Sequence, residues 1–171
     1  MIPTCPLLGL LLNNDRHGYE LKRIVDQEFA PFWRIDFAQL YRSLAKMTDA
    51  GWVKARVESG AGAPDRKTYS ITVRGRRAFA EWIAEPARTR NEFFVKLRLA
   101  TDAKLPAAHL LESQRSQFER ERETRTHTHN NLRDTGNASQ LVLAHVALRE
   151  TEASLSALDL YESVTATPRR A

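Results

Sequence analysis

Cysteine is almost absent from this chain, in which Cys5 has no counterpart elsewhere. A single cysteine excludes an internal disulfide framework, and it is in keeping with a reducing compartment. No apolar run approaches the roughly 20 residues that a membrane-spanning helix requires. The N-terminus also lacks a basic segment followed by an apolar core and a small-residue cleavage site, so export is not expected. Together these absences predict a protein that is neither exported nor inserted in a membrane.

Sequence motifs of enzyme chemistry are missing as well. No glycine-rich phosphate loop opens a helix after a strand, and no nucleophile elbow is present. His127 and His129 are two residues apart, so on a helix they face different directions and cannot chelate a metal ion together. His109 and His145 stand isolated in the sequence. The sequence therefore argues against an enzyme, and it offers no pattern that calls for a cofactor or a metal ion.

Positive charge is present, and it is concentrated in one half of the chain. Residues 1–90 contain 15 Lys or Arg and 10 Asp or Glu, whereas residues 91–171 contain 11 of each. The whole net charge of +5 therefore lies in the N-terminal half. Such a concentration is the electrostatic footprint expected of a protein that binds phosphate groups.

The most informative stretch is residues 36–53, DFAQLYRSLAKMTDAGWV, which predicts an amphipathic helix. Asp36 and Gln39 form a variant of the capping box that begins a helix. Gly51 ends it, because glycine adopts the left-handed conformation at little cost. Apolar residues at helical spacing predict the buried side: Phe37, Leu40, Leu44 and Met47, with Tyr41 at its edge.

The other side of this predicted helix carries hydrogen-bonding and cationic side chains, namely Gln39, Arg42, Ser43 and Lys46. A helix of this kind buries one side and offers the other to a polar, anionic partner. Nucleic acid is the first candidate for that partner.

The order of elements around this helix predicts the fold of the N-terminal half. Helices over 6–12 and 17–29 precede it, and two strands over 52–58 and 67–73 follow it, joined by a glycine-rich turn. Thr72 caps a fourth helix that ends near Pro86. Three helices, a hairpin and a fourth helix make a winged helix-turn-helix, in which the third helix is the recognition helix and the hairpin is the wing. We therefore predict a DNA-binding domain over residues 1–86.

Beyond Pro86 the sequence predicts helices only. We predict helices over 92–101, 105–132 and 138–164, with a bend or fraying at the run Thr126–Asn131, whose helix propensity is poor. In the last helix apolar or small residues recur three and four apart, which is typical of a helix packed along a partner: Leu141, Ala144, Leu148, Thr151, Leu155 and Leu158. The expected fold class is mainly α, with a C-terminal all-helical dimerisation domain over 87–165 and a disordered tail over 166–171.

Several motifs, in order, resemble those of the PadR-like transcriptional regulators along nearly the whole chain. Arg42 stands where a common version of the family has proline. The motifs are LLGLL (Leu7–Leu11), HGYEL (His17–Leu21), QLYRSL (Gln39–Leu44), AGWV (Ala50–Val53), PDRKTYSIT (Pro64–Thr72) followed by Gly75 and Arg76, and EFFVKLRLA (Glu92–Ala100).

The resemblance implies a homodimeric cytoplasmic regulator, commonly a repressor, that binds double-stranded DNA through its winged helices and dimerises through its C-terminal helices. A symmetric dimer would recognise an inverted-repeat operator. Many members respond to small, often aromatic effectors that bind at or near the dimer interface. Trp82, Phe93 and Phe94 are the aromatic candidates for such a pocket, and ordinary core packing is the alternative for all three.

For DNA recognition, Arg42 suits guanine and Gln39 suits adenine, while Ser43 and Lys46 suit base edges or phosphates. Tyr19 and Tyr41 either reach phosphates through their phenol groups or pack in the core. The predicted phosphate contacts of the wing are Lys54, Arg56, Arg66 and Lys67. Three alternatives stay open: solvent-facing side chains without a ligand, a winged helix used for protein contact, and an activator without an effector.

Overall fold

The structure is a computed structural model whose described residues form seven α-helices and one small antiparallel sheet, which confirms the predicted mainly α fold class. The residues described are 4–30, 32–60 and 63–166, of which 58–60, 63–66, 135 and 166 are described by their backbone. The chain forms two compact units, a first unit of residues 1–107 and a second unit of residues 108–171. Within the described residues, no helix is both long and apolar enough to cross a membrane.

The first unit has the element order that the sequence predicts, with one additional strand. Its helices are α1 (Pro6–Leu10), α2 (Gly18–Ile24), α3 (Phe37–Asp49), α4 (Val73–Ala84) and α5 (Arg90–Asp102). A π-helical segment, Val25–Phe29, continues α2. The strands are β1 (Arg16–His17), β2 (Val53–Gly60) and β3 (Ala63–Ile71), in the antiparallel sheet order β1-β3-β2.

The additional strand, β1, joins the start of α2 to the wing. His17 pairs with Thr68 of β3, and its Nδ1 lies 3.2 Å from the Lys67 carbonyl oxygen. The backbone N–H of His17 also donates to the Glu20 carboxylate at 2.8 Å, which satisfies a donor at the beginning of α2. A strand of two residues is too short to show an alternating pattern, so the sequence predicts a turn and the start of a helix at this segment.

Helix α3, the predicted recognition helix, begins and ends where the sequence predicts. The Asp36 carboxylate accepts from the Gln39 N–H at 2.6 Å, and Gly51 adopts a φ of 70° just beyond the last turn. Leu40, Leu44 and Met47 are fully buried, as their spacing predicts.

The predicted burial of Phe37 is wrong, since 44% of this residue is exposed. It is the first residue of α3 and lies at the edge of the apolar stripe, where the core no longer covers it. Its ring stacks instead on Tyr19 and Tyr41, with centroid separations of 6.3 and 6.4 Å.

Helix α5 is part of the core of the first unit. Val95, Leu99 and Ala100 are buried in the same cluster as Leu7 and Leu8 of α1. The domain boundary predicted at 86 lies before α5, whereas the division between the two compact units lies between 107 and 108. The two positions differ by α5 and the segment that connects it to α6. Helix α5 belongs to the first unit because its apolar side chains complete the core that α1 also lines.

A buried polar network joins the end of α4 to α5. The fully buried Lys96 ammonium donates to the carbonyl oxygens of Trp82 and Glu85, at 2.6 and 2.7 Å. The Glu92 carboxylate lies 3.8 Å from that ammonium and accepts from the Trp82 indole N–H at 3.1 Å. Burial lowers the pKa of Lys96 below its ordinary value of 10.5, and the charge of Glu92 opposes this only in part.

The second unit is an antiparallel pair of long helices, α6 (Ala108–Thr135) and α7 (Ala138–Ala166). The Arg115 guanidinium contacts the carboxylates of Asp159 and Glu162, at 2.8 and 3.0 Å, which pairs the start of α6 with the end of α7. The predicted heptad stripe of α7 faces α6, since Thr151 accepts from Arg125 and Leu148, Leu155 and Leu158 are buried. Residues 167–171, most of the predicted tail, lie outside the described residues.

The predicted fraying of α6 at the run Thr126–Asn131 is wrong, whereas a bend there stays a prediction. Helix α6 is continuous through this run, because α7 packs alongside and supplies contacts that propensity alone omits. His145, isolated in the sequence, lies beside His129 of the neighbouring helix, with 3.4 Å between its Nδ1 and Nε2 of His129. Over the described residues, no three side chains of His, Cys, Asp or Glu form a group that could hold a metal ion.

Candidate nucleic-acid interface

Helix α3 forms an exposed ridge on the surface of the first unit. Ala38, Arg42, Ala45 and Lys46 are exposed along its outer side, opposite the buried Leu44. Two alanines beside two cations leave the helix backbone accessible between the charged side chains. Such a ridge is narrow enough to enter the major groove of DNA, which is about 12 Å wide.

One flank of α3 borders a basic cleft of about 840 Å³, here named the Arg42 cleft. All four polar residues predicted for base contacts line it, together with Arg34 and Arg90 from other segments of the chain. Among the described residues its lining contains no carboxylate and consists of Thr4, Phe32, Trp33, Arg34, Ile35, Gln39, Arg42, Ser43, Lys46, Thr89, Arg90 and Asn91. The cleft therefore presents four cationic side chains to an anionic partner.

The other flank of α3 borders a second cleft of about 620 Å³, here named the Tyr41 cleft. It is lined by His17, Gly18, Tyr19, Glu20, Arg23, Tyr41 and Lys67. Gly18 permits this geometry, because a Cβ atom at that position would lie 2.8 Å from the Tyr41 ring. The cleft thus brings together the two tyrosines and one wing lysine that the sequence analysis selected from three separate segments.

An exposed row of aromatic rings runs from α2 along the Tyr41 side of α3. Tyr19, Phe37 and Tyr41 are 65%, 44% and 47% exposed. Neighbouring rings in the row are close to parallel, with interplanar angles of 13° and 18°. Neither tyrosine is buried in the core, so the alternative of core packing is excluded for both. Their phenol groups are accessible on this surface.

The structure divides the wing cations between the two faces of the hairpin. Lys54 and Arg56 stand opposite Ser70 and Thr68 in the register of the strands, whereas Lys67 stands opposite Val57. Because side chains of directly opposed residues lie on the same face of a sheet, Lys67 points away from the other two. The side chain of Arg66 lies outside the described residues.

The three aromatic residues proposed for an effector pocket are packed in the first unit. Trp82 and Phe93 are buried, and Phe94 is half-buried with its ring centroid 4.7 Å from that of Phe32. None of the three lines the Arg42 cleft or the Tyr41 cleft. Their packing favours the core alternative, and an effector pocket at these residues stays a prediction.

Several residues of this surface were missed by the sequence analysis. Arg34 lies in the connector before α3, Arg90 begins α5 and Arg23 lies on α2, so only the folded chain brings them beside the ridge. Phe37 was missed because its spacing assigned it to the core. The sequence does show Arg34 two residues before the Asp36 cap of α3. A single cation in a connector, however, is too common to predict a binding surface.

Comparison with known proteins finds relatives of the N-terminal half of the chain, which contains α3 and the wing. Residues 7–81 match the transcriptional regulator PadR-like family. A probable transcriptional regulator of Mycobacterium tuberculosis is 44% identical over 80 residues, which are 47% of this chain and 42% of that protein. The negative transcriptional regulator PadR of Bacillus subtilis is 28% identical over 94 residues, or 53% of this chain and 52% of that protein. The matches thus span about half the length of these two curated relatives.

Among solved structures, a crystal structure of Bacillus subtilis PadR in complex with operator DNA is similar to this chain. The likeness covers 92% of this chain and 96% of that one, with 20% sequence identity and a TM-score of 0.47. The matched family is one of transcriptional regulators rather than of enzymes. The resemblance seen in the motifs is confirmed over residues 7–81, which match the transcriptional regulator PadR-like family.

Proposed function

We propose that this chain is a DNA-binding transcriptional regulator of the cytoplasm, acting as a homodimeric repressor at an inverted-repeat operator. The observation that carries the proposal is the α3 ridge, with cationic clefts on both flanks. The match of residues 7–81 to the transcriptional regulator PadR-like family supports the same assignment. So does the Bacillus subtilis relative, which is described as a negative transcriptional regulator.

In this proposal α3 enters the major groove, and the two clefts face the phosphate strands on either side. Arg42 contacts guanine and Gln39 contacts adenine, because each side chain can form two hydrogen bonds to the major-groove edge of that base. Arg34, Arg90 and Lys46 on one flank and Arg23 and Lys67 on the other lie where phosphates border the groove. Phosphate contacts fix the position of the protein, and the base contacts supply sequence preference.

The homodimer is supported by the outer side of α7. Four apolar residues at helical spacing are exposed there, outside the stripe that packs on α6: Val142, Val146, Leu160 and Val164. Val142 and Val146 also border a groove that His129 and Arg133 of α6 line. An exposed apolar stripe along a helix marks a surface that gains from being covered by a partner. A second copy of the same chain would cover it and would place two recognition helices for two half-sites.

A small aromatic effector completes the proposal, on the strength of the family resemblance. To regulate, such a compound has to bind more tightly to one spacing of the two recognition helices than to the other. The discriminating observation is a change in operator affinity on adding an aromatic acid to the full chain. If operator affinity does not change, the alternative is favoured: a regulator, including an activator, that has no effector.

Selection of bound duplexes from a random pool tests the DNA assignment directly. We expect a palindromic consensus whose half-sites lie about one helical turn apart. The full chain should then bind that duplex with an affinity that falls steeply with salt, by a log–log slope of about −0.9 for each phosphate neutralised. A pool without enrichment and an affinity that does not respond to salt would together favour the rival reading, a winged helix used for protein contact.

Two variants separate base contacts from phosphate contacts in the same assay. Arg42→Ala should relax the base preference at one position of each half-site, whereas Lys67→Ala should weaken all duplexes alike and reduce the salt slope by about 1. Arg122→Ala in α6 is the control, since this exposed cation lines neither cleft and its loss should leave both properties unchanged. Unchanged base preference in Arg42→Ala would remove Arg42 from the base contacts.

A further inference from the structure

We propose that Phe37 is a specificity-determining residue that contacts the methyl group of one thymine in each half-site; this rests on the proposed DNA-binding function. The residue belongs to none of the polar contacts described above. Its exposed ring is the only apolar aromatic group in the stacked row with the two tyrosines.

The position of Phe37 suits a base contact. It is the first residue of α3, directly after the Asp36 cap, and residues at the beginning of a recognition helix are those that contact base edges. The large hydrophobic side chain is 44% exposed, while Leu40 of the same helix is fully buried. The core therefore does not account for a phenylalanine at this position.

The surroundings hold the ring in place before any partner binds. Tyr19 and Tyr41 both stack with this ring, and the Lys22 ammonium lies 5.6 Å from its centroid. Lys22 is itself ion-paired with Asp26 of the π-helical segment. A ring held by two neighbours loses little conformational freedom on binding, which is the condition under which an apolar contact improves affinity.

The chemistry of the ring selects the base. A phenyl group has no hydrogen-bond donor or acceptor, so it cannot read the polar edges of guanine, cytosine or adenine. In the major groove the 5-methyl group of thymine is the apolar feature, and phenylalanine is among the side chains that contact it. The two flanking tyrosines keep their phenol groups for phosphates, which leaves the apolar contact to Phe37.

Deoxyuridine substitution tests this contact, because it removes the thymine methyl group and changes nothing else. Each thymine of the selected operator is replaced in turn, and duplex affinity is measured for the full chain and for Phe37→Ala. We expect one position per half-site at which deoxyuridine weakens the unmodified protein by about fourfold, the value for one buried methyl group. At that position Phe37→Ala should bind the two duplexes equally.

Control variants make the outcome specific. Phe37→Leu keeps an apolar side chain and should retain part of the response to deoxyuridine, which separates the contact from a loss of folding. Val73→Ala removes another exposed apolar side chain of the first unit and should leave the response intact. If the protein binds its operator but every deoxyuridine is neutral, or if Phe37→Ala responds as the unmodified protein does, the contact is refuted while the DNA-binding function stands. If no duplex is bound, both proposals fail.

Discussion

The two units use their apolar side chains in different ways. In the first unit, residues far apart in sequence close one core, and the outer side of α3 is polar except for its aromatic row. The second unit is a single pair of helices, so each helix has one side packed and one side outward. On α7 that outward side is apolar at Val142, Val146, Leu160 and Val164. The comparison indicates that the first unit is complete by itself, whereas the second unit is suited to a partner.

The largest effect should come from the core of the first unit. Leu44→Ala removes a fully buried side chain from the inner side of α3, and we expect the free energy of unfolding to fall by about 3 to 4 kcal/mol. Because this core is closed within one chain, the loss should not depend on protein concentration. Denaturant unfolding measures it, and Val73→Ala, at an exposed position, should change stability by no more than about 0.5 kcal/mol. A loss below about 1 kcal/mol for Leu44→Ala would show that the core is not closed.

The buried network of Lys96 should give the next largest effect. Lys96→Met leaves two carbonyl oxygens and the Glu92 carboxylate without their buried cation, so we expect a loss of about 3 kcal/mol. Lys96→Met combined with Glu92→Gln should recover part of that loss, because it removes the second buried charge as well. If the double variant is no more stable than Lys96→Met, the two charges are not coupled.

The same network predicts a pH dependence with a definite sign. The pKa of Lys96 is lowered by burial, so between that pKa and 10.5 the unfolded chain binds more protons than the folded one. The free energy of unfolding should therefore rise with pH across this window, relative to Lys96→Met. Urea unfolding of both proteins at several alkaline pH values measures the difference, and a difference that falls with pH would contradict the assignment.

A charge on the outer side of α7 should affect association rather than folding. Val146→Glu buries a carboxylate if two chains meet there, so we expect the dimer to weaken by about 2 kcal/mol, or roughly thirtyfold in dissociation constant. Sedimentation at several concentrations measures this. Gln140→Glu adds the same charge at an exposed polar position of α7 and should have little effect. Equal association of the two variants would move the dimer interface away from this stripe.

The smallest effects should come from the helix caps, which differ between the units. Thr72 accepts from the Gly75 N–H and also contacts the carbonyl oxygens of Gly51 and Trp52, so Thr72→Ala should cost about 1 to 2 kcal/mol. Asn137 caps α7 through the Gln140 N–H, and Asn137→Ala should cost about 1 kcal/mol or less. Thermal unfolding ranks the two. The reverse order would mean that the contacts of Thr72 beyond its own helix add nothing.

Much of the first unit could be predicted from its residues. The caps at Asp36 and Thr72 and the end of α3 at Gly51 follow from local chemistry, and the structure has all three. The strand β1 could not be predicted, because its two residues depend on pairing with β3, some 50 residues later in the chain. The π-helical end of α2 also lacks a local signal.

The candidate interface, too, contains some residues that the sequence predicts and others that it does not. The polar side of α3 follows from helical spacing, and the structure keeps Arg42 and Lys46 exposed. The opposing cations Arg34 and Arg90 could not be predicted, since they come from other segments. The exposure of Phe37 could not be predicted either, because spacing locates a residue on a stripe without showing where the core ends.

The sequence by itself determined the helices, the hairpin, the caps and the basic bias of the N-terminal half, because each depends on neighbouring residues or on composition. Only the tertiary structure decided which side chains share a surface: the two clefts beside α3, the aromatic row with Phe37, and the outward stripe of α7. The physical reason is that burial depends on what packs against a helix, and periodicity describes only the helix itself. Helix α7 shows this most clearly, because its heptad stripe packs on α6 and a different apolar stripe is left exposed for a partner.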